Sequence, residues 1–118
     1  MSEAVIRRAH LRYCTGGSGR WIPSAPGAPM EFRLLDVSLG GIGFRSAEKL
    51  PPGTRGLLRF SVFCEGRSIK AESAAEACYC ILESGGYRIG VKFVDPNEAT
   101  LKALKFIVQA RSKVAPGY

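Results

Sequence analysis

The chain has 118 residues, 46% of them apolar, and a formal net charge of +7 from 17 basic against 10 acidic side chains. That length and composition fit one globular domain with a real core, residues 1–118, and exclude a disordered chain. No run approaches the roughly 18 apolar residues of a membrane span, and MSEAVIRRAH places Glu3 and two arginines where a secretory leader needs its apolar stretch, so a cytoplasmic protein without membrane insertion is expected.

Residues 1–12 read as an arginine-rich, flexible arm. The stretch TGGSGRWIPSAPGAP, Thr15 to Pro29, is rich in Gly, Pro and Ser and reads as a long connection holding a short strand around Arg20 to Ile22. MEFRLL and GIGF then alternate with period 2, with Met30, Phe32 and Leu34 on one side and Ile42 and Phe44 on one side. LPPGTRG is a turn. GLLRFSVF puts Leu58, Phe60 and Val62 opposite Arg59 and Ser61. After the turn CEGRS, the run SIKAESAAEACYCI aligns Ile69, Ala71, Ala75, Ala77, Tyr79 and Ile81 on one face, against Lys70, Glu72 and Glu76. ESGGY is a hairpin turn, and YRIGVKFV alternates Tyr87, Ile89, Val91 and Phe93 with Arg88, Gly90 and Lys92. One buried and one wet face per strand is the antiparallel pattern.

The period then changes. Asp95 as N-cap, Pro96 at the first helical position and Glu98 three residues after the cap predict a helix over 95–113. Leu101, Leu104, Ile107 and Val108 recur at helical spacing, and Lys105, Arg111 and Lys113 suit the C-terminal dipole. Five or six antiparallel strands followed by one helix favour a barrel or sandwich.

Catalytic parts are scarce. His10 is the only histidine and lies among arginines, Asp36 and Asp95 are the only aspartates, and Ser38 has no general base near it in sequence. The four cysteines, Cys14, Cys64, Cys78 and Cys80, form no CxxC pair. Cys78 and Cys80 would share a face of a strand, but one histidine and no second cysteine pair make half-buried thiols the better reading than a metal site. TGGSGR lacks the GK[ST] ending of a phosphate loop and leads into no helical pattern. No enzyme, metal or cofactor is expected.

Charge says more. The basic excess is mostly arginine, 11 against 6 lysines, which suits bidentate recognition of phosphates and guanine edges. IRRAHLR contains Arg7, Arg8 and Arg12, the last two spaced RxxxR. About one such pair is expected by chance, and Arg55 and Arg59 form another, read as a solvated strand face. DVSLGG has the form DxSxxG at Asp36, Ser38 and Gly41, a pattern expected about 0.02 times by chance in a chain of this composition.

RxxxR at Arg8 and Arg12, DxSxxG at Asp36, Ser38 and Gly41, and the late strand YRIGVKF together resemble the PilZ domain, over nearly the whole chain. The resemblance implies a mainly β fold, a six-stranded antiparallel β-barrel with a C-terminal α-helix. It also implies a bacterial receptor for the second messenger cyclic di-GMP. The chemistry of the residues suits that ligand: Arg8 and Arg12 offer guanidinium forks for guanine O6/N7 or phosphate. Asp36 accepts from the guanine N1–H and N2–H₂ edge. Ser38 donates to phosphate or braces the turn, and Gly40 and Gly41 let the backbone approach and permit positive φ. Arg7, just before the motif, is expected to hold a second ligand copy in a self-intercalated dimer.

The arm is expected to order on binding. Having no output domain, the chain is expected to act as a stand-alone adaptor on another protein. Two alternatives are a PilZ-like module that binds only protein and a small basic barrel that binds nucleic acid. Against the latter, Phe60, Tyr87 and Phe93 fall on the inner face rather than on a stacking platform.

Overall fold

The computed structural model describes residues 11–112. It contains β1 (Tyr13–Cys14), β2 (Ser18–Pro23), β3 (Met30–Val37), β4 (Gly41–Ser46), β5 (Arg55–Cys64), β6 (Arg67–Glu83), β7 (Gly86–Val94) and one helix, α1 (Glu98–Ser112). Strands β2 to β7 close into a barrel in the order β2-β3-β4-β7-β6-β5, with β5 returning to β2 and every pair antiparallel. Closure covers the strand edges except a short stretch of β3 beyond the end of β2. β1 is an outer addition: it pairs with β3 at Tyr13↔Val37 and Cys14↔Asp36, on the edge that β2 occupies further along.

The barrel interior is apolar. Trp21, Leu34, Val37, Ile42, Phe44, Leu58, Val62, Ile89 and Val91 are at most 2% exposed, and the rings of Phe32 and Phe44 stack at 4.0 Å. The alternation in GLLRFSVF and YRIGVKFV survives intact: Leu58, Phe60, Val62, Ile89 and Val91 are buried, with Tyr87 and Phe93 packed against them.

β2 contains the short strand expected around Arg20 to Ile22 but is longer, so less of Thr15 to Pro29 is connection than expected. It is a full stave of six residues between β3 and β5. Its apolar alternation is hidden because an inward position is Gly19, where a Cβ would lie 2.4 Å from the Phe32 ring and from the Arg59 carbonyl. A glycine that makes room for a neighbour's ring looks, in sequence, like a loop residue.

Two β-bulges shift the alternation. On β3 the register with β4 slips between Leu34 and Asp36. Inward positions run Met30, Phe32, Leu34 and then Val37, so Asp36 faces outward. On β6 the register with β7 slips between Ala77 and Tyr79. Ala71, Ala75 and Ala77 point inward as expected, but Tyr79 and Ile81 do not: Ile81 is 50% exposed, and Cys80 packs against the core instead. The same bulge separates Cys78, which is exposed, from Cys80, whose sulfur accepts from the Leu50 amide at 3.4 Å.

The helix begins later than expected. Asn97, not Asp95, is the N-cap: its Oδ1 accepts the Thr100 amide at 2.8 Å and its carbonyl accepts Leu101 N–H at 2.9 Å. Asp95 has φ 47°, a left-handed conformation that aspartate tolerates and that breaks the chain before the helix. The buried stripe is Thr100, Leu104, Ile107 and Ala110, so Leu101 and Val108 sit at its margins. α1 lies against β6 and reaches β1 and β5. The Thr100 hydroxyl donates to the Glu72 carbonyl, Arg111 donates to the Phe63 carbonyl at 2.9 Å, and Arg67 stacks on Phe106 at 4.6 Å.

Candidate functional site

DVSLGG forms the end of β3 and the turn into β4. Ser38 is buried and is used up inside that turn. Its Oγ accepts the amides of Gly40 and Gly41, each at 3.1 Å, and donates its one proton to the Gly41 carbonyl, also at 3.1 Å. The Ser38 amide closes the loop on the same carbonyl at 2.9 Å. Of the two roles expected for Ser38, the geometry here is that of a brace, with no proton left for an anion.

The glycines also differ from expectation. Neither Gly40 nor Gly41 has positive φ. Gly41 is required by closeness: a Cβ there would lie 2.1 Å from the Val91 carbonyl on β7. Gly40 uses its carbonyl to accept Phe93 N–H at 2.9 Å, tying the turn to β7.

Asp36 looks outward because of the β3 bulge. Its Oδ1 receives Arg12 Nη1 at 3.1 Å, both side chains about four-fifths buried. This pair joins the second arginine of RxxxR to the acid of DxSxxG. Arg12 Nη1 also lies 3.4 Å from the Tyr79 hydroxyl, and Arg12 Nε is buried without a partner among the described residues. Arg7 and Arg8 lie outside the described residues. The second RxxxR pair sits elsewhere, on the exposed face of β5, with Arg59 paired to Glu72 and Arg55 to Glu76 at 3.0 Å.

Reading across the barrel shows what surrounds this pair. The registers align Cys14, Asp36, Gly43, Gly90 and Tyr79 in one row over β1, β3, β4, β7 and β6. The two residues between the acid and the aromatic are glycines. A Cβ on Gly43 would be 2.8 Å from the Asp36 carboxylate, and one on Gly90 would be 2.1 Å from the Tyr79 ring. On the outer face the acid lies over Gly43 and the aromatic ring over Gly90, and Arg12 spans them.

Tyr79 was assigned by alternation to the inner face, so it escaped notice as a site residue. The available signal was the pair Gly43 and Gly90, each interrupting an otherwise regular outer face.

Two residues further along β4, β7 and β6 lies a second row, Arg33, Arg45, Arg88 and Ile81. Glu83 pairs with Arg45 at 2.7 Å and with Arg88 at 3.0 Å. The hydrogen bond from Arg88 and the nearby positive charge hold the Glu83 carboxyl below the usual carboxylate range. The same bond lifts Arg88.

A groove of about 910 Å³ runs beside these arginines, lined by Arg33, Arg45 and the turn residue Gly85. A separate groove of about 540 Å³, between β2, β5, β6 and the start of α1, contains none of the motif residues.

Comparison with known proteins follows the same outline. No curated protein sequence matches the chain. Among solved structures, YcgR of Escherichia coli in complex with c-di-GMP matches with a TM-score of 0.75 at 22% identity, over 92% of this chain and 47% of that one. The chain thus spans about half the length of that protein. The isolated PilZ domain of E. coli YcgR with c-di-GMP matches with a TM-score of 0.66 at 19% identity, over 92% and 94%. The Bacillus subtilis inhibitor of motility MotI/DgrA matches with a TM-score of 0.77 at 15% identity, over 92% and 53%. At these identities the likeness is one of fold. The PilZ domain family model matches residues 6–110, taking in both motifs, every barrel strand and nearly all of α1; the chain belongs to the PilZ domain family.

Proposed function

We propose that the protein is a receptor for cyclic di-GMP that works by ligand-dependent contact with a protein partner. The observation that carries this reading is the Arg12–Asp36 pair beside the glycine floor. Arg12 presents cationic N–H groups, and the Asp36 carboxylate accepts from a guanine Watson–Crick edge. The glycines let the Tyr79 ring and the Asp36 carboxylate lie close against the barrel, and the outer side of that ring offers a face for stacking a base. The c-di-GMP bound by the YcgR structures supports the choice of ligand.

Arg8 completes the motif with Arg12, and Arg7 favours a second ligand copy. Ser38, Gly40 and Gly41 act by shaping the turn that carries Asp36. Binding changes the surface around Arg12 and Asp36, and that surface is the one offered to a protein partner.

Calorimetric titration with cyclic di-GMP, against GTP, tests the reading and counts ligand copies. Binding at micromolar ligand, weakened by Arg12→Ala by about tenfold or more, is expected. No heat at that concentration overturns it. One copy per domain, unchanged by Arg7→Ala, removes the second-copy role.

A further inference from the structure

Arg33, Arg45 and Arg88 stand side by side on β3, β4 and β7, on the same outer face as Asp36, Gly43 and Gly90. Neighbouring strands are about 4.8 Å apart, and residues two apart along a strand about 6.7 Å. Arg45 is two residues from Gly43 and Arg88 two residues from Gly90. A ligand with two phosphodiesters seated against Asp36 and Tyr79, above the glycines, therefore comes within reach of both guanidinium groups. Among the described residues Arg33 has no carboxylate partner, and Glu83 alone is shared by the other two. The row keeps an excess of two positive charges.

We propose that this arginine row is a second phosphate-binding subsite, contiguous with the glycine floor, and that Glu83 is its internal counter-ion, which a ligand phosphodiester displaces from Arg45 and Arg88. Glu83 is well placed for such an exchange. It sits at the end of β6, next to the β6–β7 turn, and its two partners are one-third to two-fifths exposed. Arg45 is also anchored to the carbonyl of Ser84 in that turn, which aims its guanidinium while the carboxylate is exchanged. The groove beside Arg33 and Arg45 gives the remainder of a ligand somewhere to lie. The inference rests on the receptor reading above and deepens it: it assigns to Glu83 a role in setting affinity, although the residue touches no ligand.

The test is a double-mutant cycle read by titration with cyclic di-GMP, using the native protein, Glu83→Gln, Arg45→Ala/Arg88→Ala and the triple variant. Freeing both arginines tightens binding by about fivefold in Glu83→Gln, and removing them weakens it by about tenfold or more. In the triple variant, Glu83→Gln has no further effect. If Glu83→Gln tightens binding equally with and without the arginines, only net charge is at work and the subsite is overturned. It is equally overturned if the native protein binds and Glu83→Gln leaves affinity unchanged. Absence of binding in all four proteins overturns the receptor reading, and this inference with it.

Discussion

The ring of Tyr79 lies on Gly90, so close that a single methyl group on residue 90 would occupy the ring's own position, 2.1 Å from Cε2. The obstacle is the far end of a side chain rather than backbone. Gly90→Ala is therefore expected to swing the tyrosine aside at a cost below about 1 kcal/mol in stability. Affinity for cyclic di-GMP is expected to fall by about tenfold, as the stacking face and the Arg12 contact move together. A variant that melts normally and binds normally would remove Tyr79 from the site.

Asp36 and Ser38 are separable. Asp36→Asn keeps the shape but leaves Arg12 without its anion. Binding should fall by about tenfold or more, with about 1 kcal/mol lost in stability. Ser38→Ala removes three hydrogen bonds from a buried turn and leaves two amides to find new partners. A loss of about 2 kcal/mol on chemical denaturation is expected. Any loss of affinity then follows from disorder of the turn. Equal stability losses for the two variants would contradict this division.

Gly41→Ala meets a carbonyl of the neighbouring strand, which has no flexible end to move. The β4–β7 seam must open locally. A cost of about 2–4 kcal/mol is expected, measured by thermal or denaturant unfolding.

Asn97→Ala removes the side-chain acceptor at the start of α1 and should cost about 1 kcal/mol, whereas Asp95→Asn should be close to neutral, because asparagine tolerates the same left-handed φ. Denaturation midpoints compared across the two variants check this.

Glu83 links stability to pH. Its folded pKa lies below the unfolded value of about 4.5, so its contribution is fully present above that value and is lost as pH falls through the folded pKa. Acid unfolding of Glu83→Gln should show a shallower loss of stability below about pH 4.5 than the native protein. Carboxyl titration followed by NMR should place Glu83 under the ordinary range. An ordinary titration would contradict the ion-pair geometry.

Much of the barrel was legible because Leu58, Phe60, Val62, Ile89 and Val91 keep strict alternation and sit on strands without irregularity. The motif residues Asp36 and Ser38 were legible from spacing. What escaped lies downstream of a bulge or behind a glycine. A bulge needs no special residue: Leu35 and Cys78 look ordinary, yet each inverts the faces of everything after it. Counting by twos from Ala71 therefore sent Tyr79 and Ile81 to the wrong side. Gly19 concealed a stave because its role is to be absent where Phe32 is present. The cap was misplaced because Asp95-Pro96-Asn97-Glu98 carries the spacing of a helix start, whereas Asn97 is marked as the cap only by its hydrogen bond to Thr100. Glu83 and Arg88 flank one hairpin turn, but Arg45 is 38 residues from Glu83 and joins them only through strand register.

The placement of β1 has a consequence for how the molecule can be engaged. The barrel closes without it, yet the edge of β3 at Asp36 and Val37 has room for one short guest, and Tyr13–Cys14 holds that berth. Its occupant is therefore exchangeable in principle without rupturing a single stave. Arg12, the next residue back along the chain, grips the outward side chain of the same Asp36. A ligand that prises Arg12 from Asp36 loosens the tenant of that berth, and a segment from another chain that seeks the berth must first dislodge Arg12. Nucleotide and protein would then contend for one residue from two directions.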